Sequence, residues 1–236
     1  MQLHQKLVDD KDLSKVGAKT GDEKRLSKII TDENKEYFKF LVNSNGKIVI
    51  DQDLYNKCEK SVEAITNDNH ISDLLKLRNV KDDFELSNNN VDVLNELPIK
   101  AELKTLPFGF KGIIDNLVLD HSNQRVIIND LKTTSKSLVN FPETVEYYKY
   151  WMQAAMYYRL TQQYIGNKAK NAKDYKIEFN FIVIDKLNQV YAFPVKDKTM
   201  DQWLIDLDGV VKQAMWHYTK NNYNLPYEFA LKQVTL

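Results

Sequence analysis

Phe110–Thr133 reads FKGIIDNLVLDHSNQRVIINDLKT. Two apolar arms flank a polar centre, and that pattern decides the fold. Phe110–Leu119 has the composition of a strand. Asp120-His121-Ser122-Asn123-Gln124 is a turn by residue type. Arg125–Thr133, led by Val126, Ile127 and Ile128, is the returning strand of a β-hairpin. With the turn centred between Ser122 and Asn123, facing residues have numbers that sum to 245, and Asp115 and Asp130 meet that condition (115 + 130). Opposed side chains share a face of the sheet, with Cβ atoms ~4.5–5.5 Å apart. Lys132, two residues beyond Asp130, shares it too.

Upstream of the hairpin, residues 1–42 give no clear pattern, and Gly17 and Gly21 interrupt any continuous helix there. Lys47–Ile50, after Gly46, reads as a short strand. Asp51 reads as the N-cap of a helix to Asn67, with Leu54, Cys58, Val62 and Ile65 spaced as one buried face. Ile71–Leu77 is a second short helix. Strand character begins at Val91 and runs on around Pro98. Downstream, Glu143–Tyr164 reads as one long helix closed by Gly166. Tyr175–Asp185 and Gln189–Val195 read as a second hairpin. Met200–Lys220 is a final helix whose apolar face runs from Trp203 through Leu204, Leu207, Val210, Val211 and Ala214 to Met215. This order predicts an α/β (α+β) domain with a central mixed sheet flanked by helices.

The 236 residues, with 43% hydrophobic and 28% charged, describe an ordinary globular protein. With seven glycines and five prolines there is no evident linker, so one domain is expected over 1–236. No run reaches the ~18–20 apolar residues of a membrane span. Met1–Asp10 has no apolar core and does not read as a secretory leader. A single cysteine, Cys58, excludes an internal disulfide and a four-cysteine metal cluster, and suits a reducing, cytoplasmic setting. Lys+Arg and Asp+Glu are both 33, so no overall basic excess marks a purely electrostatic nucleic-acid binder. No P-loop, GxGxxG or zinc spacing is present.

The chemistry therefore centres on Asp115, Asp130 and Lys132. Two carboxylates held together repel and need a cation. Lys132 supplies one charge. A magnesium ion, which favours hard oxygen ligands and keeps several waters, is the better match. The Leu131 carbonyl is a third candidate oxygen. Metal, water and a lysine beside them suit phosphodiester hydrolysis. A surface salt bridge is the plain alternative for an Asp–Lys pair. Against it, Asp130 ends an apolar run, where sites gather in open sheets.

The motifs GIID, VIINDLKTT and QAAMYY, in this order, resemble those of the PD-(D/E)xK nucleases. They are most similar to the phage and prophage exonuclease VIII (RecE) group. Gly112 with Asp115 matches the Gly-x-x-Asp strand, Asp130 with Lys132 the Asp-x-Lys strand, and Gln153 with Tyr157 the Gln-x-x-x-Tyr helix. The resemblance implies a restriction-endonuclease-like core over 91–220, with a mainly helical elaboration over 1–90. It implies that Glu96, in NELPI, is the glutamate of the first core strand, and that His4 is a further metal ligand, although the glycine that precedes such a histidine in the group is absent. It also implies that Gln153 and Tyr157, neighbours on one helical face, meet DNA. Packing of Tyr157 in the core with Gln153 at its rim is the alternative. Tyr150 lies on the same stripe, as a stacking platform or as packing, and Lys136, Lys149 and Arg159 are candidate phosphate contacts.

The expected activity is Mg²⁺-dependent hydrolysis of DNA, with Mn²⁺ as a substitute ion. The resemblance implies 5′-to-3′ digestion of duplex DNA in phage-type recombination, a single-strand annealing protein as partner, and a homo-oligomer. The alternatives are a single-strand- or structure-specific repair nuclease, and a non-catalytic DNA-binding module on the same fold.

Overall fold

The computed structural model describes residues 31–77, 90–102, 106–168 and 174–235. His4 lies outside the described residues. The chain divides into two compact units, Met1–Asn56 and Lys57–Leu236. The described part of the first contains helix α1 (Asp32–Asn43), whose N-cap Thr31 accepts a hydrogen bond from the Asn34 amide. It also contains the first residues of α2 (Gln52–Asn67). The Asp51 carboxylate accepts from the Leu54 amide at 2.7 Å, as an N-cap should. The strand expected at Lys47–Ile50 does not form. Among the described residues its β-branched residues find no partner strand, and Ile48 is 92% exposed; propensity without a ladder leaves irregular chain.

The second unit holds the remainder of α2, α3 (Asn69–Leu75) and a five-stranded sheet. The strands are β1 (Val91–Ala101), β2 (Phe110–Asp120), β3 (Arg125–Thr134), β4 (Lys176–Asp185) and β5 (Val190–Val195), adjacent in chain order. Only β3 and β4 run parallel. Their crossover contains a 3-10 turn (Leu138–Asn140), α4 (Phe141–Tyr147) and α5 (Tyr150–Lys168). A long α6 (Asp197–Lys220) and a short α7 (Tyr227–Ala230) follow. Both edge strands contain a proline, Pro98 in β1 and Pro194 in β5, which edges tolerate because one row of amides has no ladder partner.

The sheet is buried on both faces. Leu117, Leu119, Val126, Ile128, Phe179 and Phe181 join Ala154, Tyr157 and Leu160 of α5 and Met200 of α6 in the larger core. Ile182, Ile184 and Ala192 pack with Ile65 of α2 and with Ile71 and Leu75 of α3. Four asparagines cross the α3 side in register: Asn95, Asn116, Asn129 and Asn180. Their amides form a chain at 2.8, 2.8 and 3.0 Å. Asn116 and Asn129 also donate to the carbonyls of Leu75 and Leu74, so the row satisfies orphan acceptors at the end of α3.

Four further expectations are corrected. The single helix from Glu143 is two helices, because Lys149 takes a left-handed φ of +58° between Tyr148 and Tyr150. Gly166 lies inside α5 rather than closing it. Of the α2 stripe only Ile65 is buried; Leu54, Cys58 and Val62 are exposed. The apolar face of α6 thins toward its end, where Ala214 and Met215 are exposed.

Candidate active site

The register of the first hairpin is the expected one, with Asp120 opposite Arg125 and Asn116 opposite Asn129, both summing to 245. The β2–β3 ladder stops there, one residue before Asp115 and Asp130. Beyond it, β2 stays with β1 as far as Phe110 opposite Ala101. β3 stays with β4 as far as Thr134 opposite Asp185. The sheet thus forks, and Asp115 and Asp130 sit in the crotch. They are not a regular ladder pair. Instead the Leu131 amide donates to Asp115 Oδ2 at 2.7 Å, so one carboxylate bridges the parting strands.

The fork has a cause in β1 and β2. Leu94 and Leu97 pack on the larger core, as do Leu117 and Ile114. A three-residue step would put each pair on opposite faces of a regular strand, so both strands reverse their facing between them. The reversal falls at Glu96 and Asp115, the one interior position missing from the β1–β2 pairing. Glu96 has φ +48°. A non-glycine residue there costs of order 1–3 kcal/mol, strain that tends to collect at functional sites. Glu96 is exposed on β1, level with Asp115.

Asp130 is 1% exposed. Its side chain forms an ion pair with Lys132 Nζ. Among the described residues neither carboxylate oxygen accepts a well-formed hydrogen bond. Burial pushes its pKa from 3.8 up to about 6; Lys132 pulls it down and Asp115 adds to the rise. Lys132 lies on the other side against Tyr150, with Nζ 5.1 Å from the ring centroid, a cation–π arrangement. A buried, under-coordinated carboxylate beside a second carboxylate is a donor set that fits a divalent ion. Asp115, Asp130 and the Leu131 carbonyl would hold it. No group of three or more His, Cys, Asp or Glu side chains suited to a metal occurs among the described residues, so water and the main chain must complete such a shell.

Gln153 and Tyr157 lie on α5. Gln153 Nε2 donates to Tyr157 Oη at 2.9 Å. Tyr157 is buried in the core, and Gln153 is half-buried. The Tyr157 ring packs against Gly112, where any Cβ would stand 2.6 Å from Cε1. The Gly-x-x-Asp strand and the Gln-x-x-x-Tyr helix are therefore in direct contact. Arg159 is held by Asp208 at 2.6 Å and by the Leu204 carbonyl, which ties α5 to α6 rather than leaving it for phosphate. Lys136 and Lys149 are exposed.

Tyr150, read from the sequence as a stacking platform or as packing, and a lysine pair that no motif marked complete the surroundings. Tyr150 touches the site through Lys132. Lys100 and Lys111 are exposed register partners and line a groove of about 560 Å³ with Pro98, Gly112 and Ile113. Like charges placed opposite one another are destabilising, and an anion between them would relieve that.

A solved structure of a protein from Eubacterium rectale, designated a candidate exonuclease, is similar to 79% of this chain at 13% identity with a TM-score of 0.47. The match spans 62% of that protein's length. No curated protein matches the chain. No helix among the described residues is long and apolar enough to cross a membrane. The family model of the PD-(D/E)XK nuclease superfamily matches residues 54–221, more than half of the sequence, and the chain belongs to that superfamily.

Proposed function

We propose that this chain is a divalent-metal-dependent deoxyribonuclease whose site is the fork between β2 and β3. The observation that carries the reading is the buried Asp130 carboxylate, short of hydrogen bonds and flanked by Asp115 and Lys132. Mg²⁺, or Mn²⁺ in its place, is the proposed cofactor, held by Asp115, Asp130 and the Leu131 carbonyl, with His4 as a further ligand. A bound ion would acidify a water and neutralise charge on the phosphate. Asp115 holds the β3 backbone through the Leu131 amide, which fixes the Leu131 carbonyl in the strand. Lys132, pinned between Asp130 and Tyr150, keeps a positive charge where a phosphate oxygen would gain charge in the transition state. Glu96, exposed level with Asp115, would orient water or take part in a second ion's shell. Gln153, the half-buried member of its pair with Tyr157, would meet the DNA strand. The Lys100–Lys111 pair would hold a phosphate of the same strand.

We take 91–220 as the nuclease core and 1–90 as its elaboration within one nuclease domain. Similarity of the motifs to the exonuclease VIII group supports 5′-to-3′ exonuclease action on duplex DNA in phage-type recombination, in the cytoplasm of a bacterial or phage-infected cell. On the same ground, the chain would work as a homo-oligomer with a single-strand annealing protein. The test is cleavage of end-labelled linear duplex with Mg²⁺, with EDTA, and by Lys132→Ala. Metal-dependent release of nucleotides, lost in the variant, is expected, and the label's fate gives the polarity. Absence of cleavage of duplex, nicked and single-stranded DNA with either ion would refute the reading.

A further inference from the structure

The break between α4 and α5 gathers tyrosines in a chain of ring contacts that ends at Lys132. Tyr147 is 78% and Tyr148 59% exposed. Both are far more open than buried aromatic residues normally are, and Tyr150 behind them is only half-buried. The rings touch in sequence. Tyr148 stacks on Tyr150 with centroids 5.7 Å apart and planes 25° from parallel. Tyr147 meets Tyr148 edge to face at 4.9 Å. Tyr150 in turn lies under Lys132 Nζ. A continuous path of π surface therefore runs from solvent to the lysine that pairs with Asp130.

The backbone holds this path in place at a cost. The left-handed φ at Lys149 stops α4 and starts α5 one residue later, and it sets Tyr148 over Tyr150. A regular helix would place residues two apart on different sides, so the stack exists only because of the break. Lys149, exposed between the two tyrosines, adds a cation. Aromatic faces interleaved with lysine are the means by which proteins hold single strands without reading their sequence.

We infer that Tyr147 and Tyr148 form a stacking platform for the unpaired terminal bases of the nucleic-acid strand that enters the fork. The inference rests on the nuclease reading and deepens it. The strand reaches the lysine and the carboxylates as separated nucleotides, so a duplex end must fray before it is cut. The platform favours frayed or single-stranded ends over blunt, G·C-clamped ones.

The experiment separates platform from chemistry by measuring binding in EDTA. The probes are single-stranded oligonucleotides with 2-aminopurine at one terminus or the other, and a blunt G·C-ended duplex. Binding of wild type should change the emission of one terminal probe. Tyr147→Leu/Tyr148→Leu should weaken single-strand binding about tenfold, as for loss of one or two stacked bases. Tyr147→Phe/Tyr148→Phe should keep it, and blunt-duplex binding should change much less. Unchanged fluorescence and affinity in the leucine variant would overturn the platform, as would an equal loss in the phenylalanine variant. Cleavage with Mg²⁺ is scored separately. Cleavage without tyrosine-dependent binding sinks the platform and leaves the nuclease standing. Tyrosine-dependent binding with no cleavage of any substrate does the reverse.

Discussion

A Cβ added to Gly112 would stand 2.6 Å from Cε1 of Tyr157. Neither party can give way cheaply, since Tyr157 is buried and its hydroxyl is held by Gln153. Gly112→Ala should therefore lower stability by about 1–3 kcal/mol, the usual cost of overpacking, and displace β2 just ahead of Asp115. Thermal unfolding and cleavage rate should both fall. Tyr157→Phe loses only the hydrogen bond, and should cost about 1 kcal/mol.

Asp130 makes stability depend on pH. Its pKa is 3.8 in the ordinary state and about 6 in the fold. Between those values the folded chain keeps a proton that the unfolded chain has released, so stability falls as pH rises through that window. By pH 7 the loss is roughly 3 kcal/mol. In metal-free buffer, Asp130→Asn should be the more stable protein at pH 7, should lack this slope, and should be inactive. Unfolding of both proteins from pH 4 to 7 is the measurement; parallel curves would contradict the assignment.

Added Mg²⁺ should recover part of that loss by binding the folded state alone. The expected result is a rise in the wild-type unfolding temperature with Mg²⁺ concentration at pH 7. The rise should be smaller at pH 4.5, where Asp130 holds its proton, and absent in Asp130→Asn.

Lys132→Ala removes the cation that pulls the Asp130 pKa down. The carboxyl pKa, followed by carbon-13 chemical shift, should rise further than in wild type. Cleavage should be lost, while Lys132→Arg should retain part of it if charge alone is required.

Asn116→Ala strips hydrogen bonds from Asn95, Asn129 and the Leu75 carbonyl. Asn95 is exposed and can turn to water, but leaving the buried Asn129 amide and the Leu75 carbonyl unpaired costs about 1–3 kcal/mol each. Amide exchange should quicken first in α3, which the asparagine row anchors to the sheet.

The first hairpin and its register could be read from the apolar run Val126–Ile128 and the polar turn because run length and turn chemistry are local. The register also aims Asp115 and Asp130 at one another, but the ladder ends one residue short of them, and Asp115 meets β3 through the Leu131 amide instead. The fork could not be read: it depends on both strands reversing face at Glu96 and Asp115, and no glycine or proline marks the spot. Lys149 likewise gives no sign of a left-handed break inside a run that favours helix. The asparagine row was hidden for a different reason. Asn95, Asn116, Asn129 and Asn180 each look like a defect in an apolar strand and make sense only side by side. Lys47–Ile50 misled in the opposite direction, having strand composition and no partner strand among the described residues.

The two edge prolines have a consequence for how copies of this chain can meet. A bare sheet edge invites another strand to add to it. Pro98 and Pro194 each remove an amide from the outer strands and interrupt the row of donors that such an addition would need. Joining two sheets into one larger sheet is therefore disfavoured at both ends, and side-chain surfaces and helices are the favoured places for copies to meet.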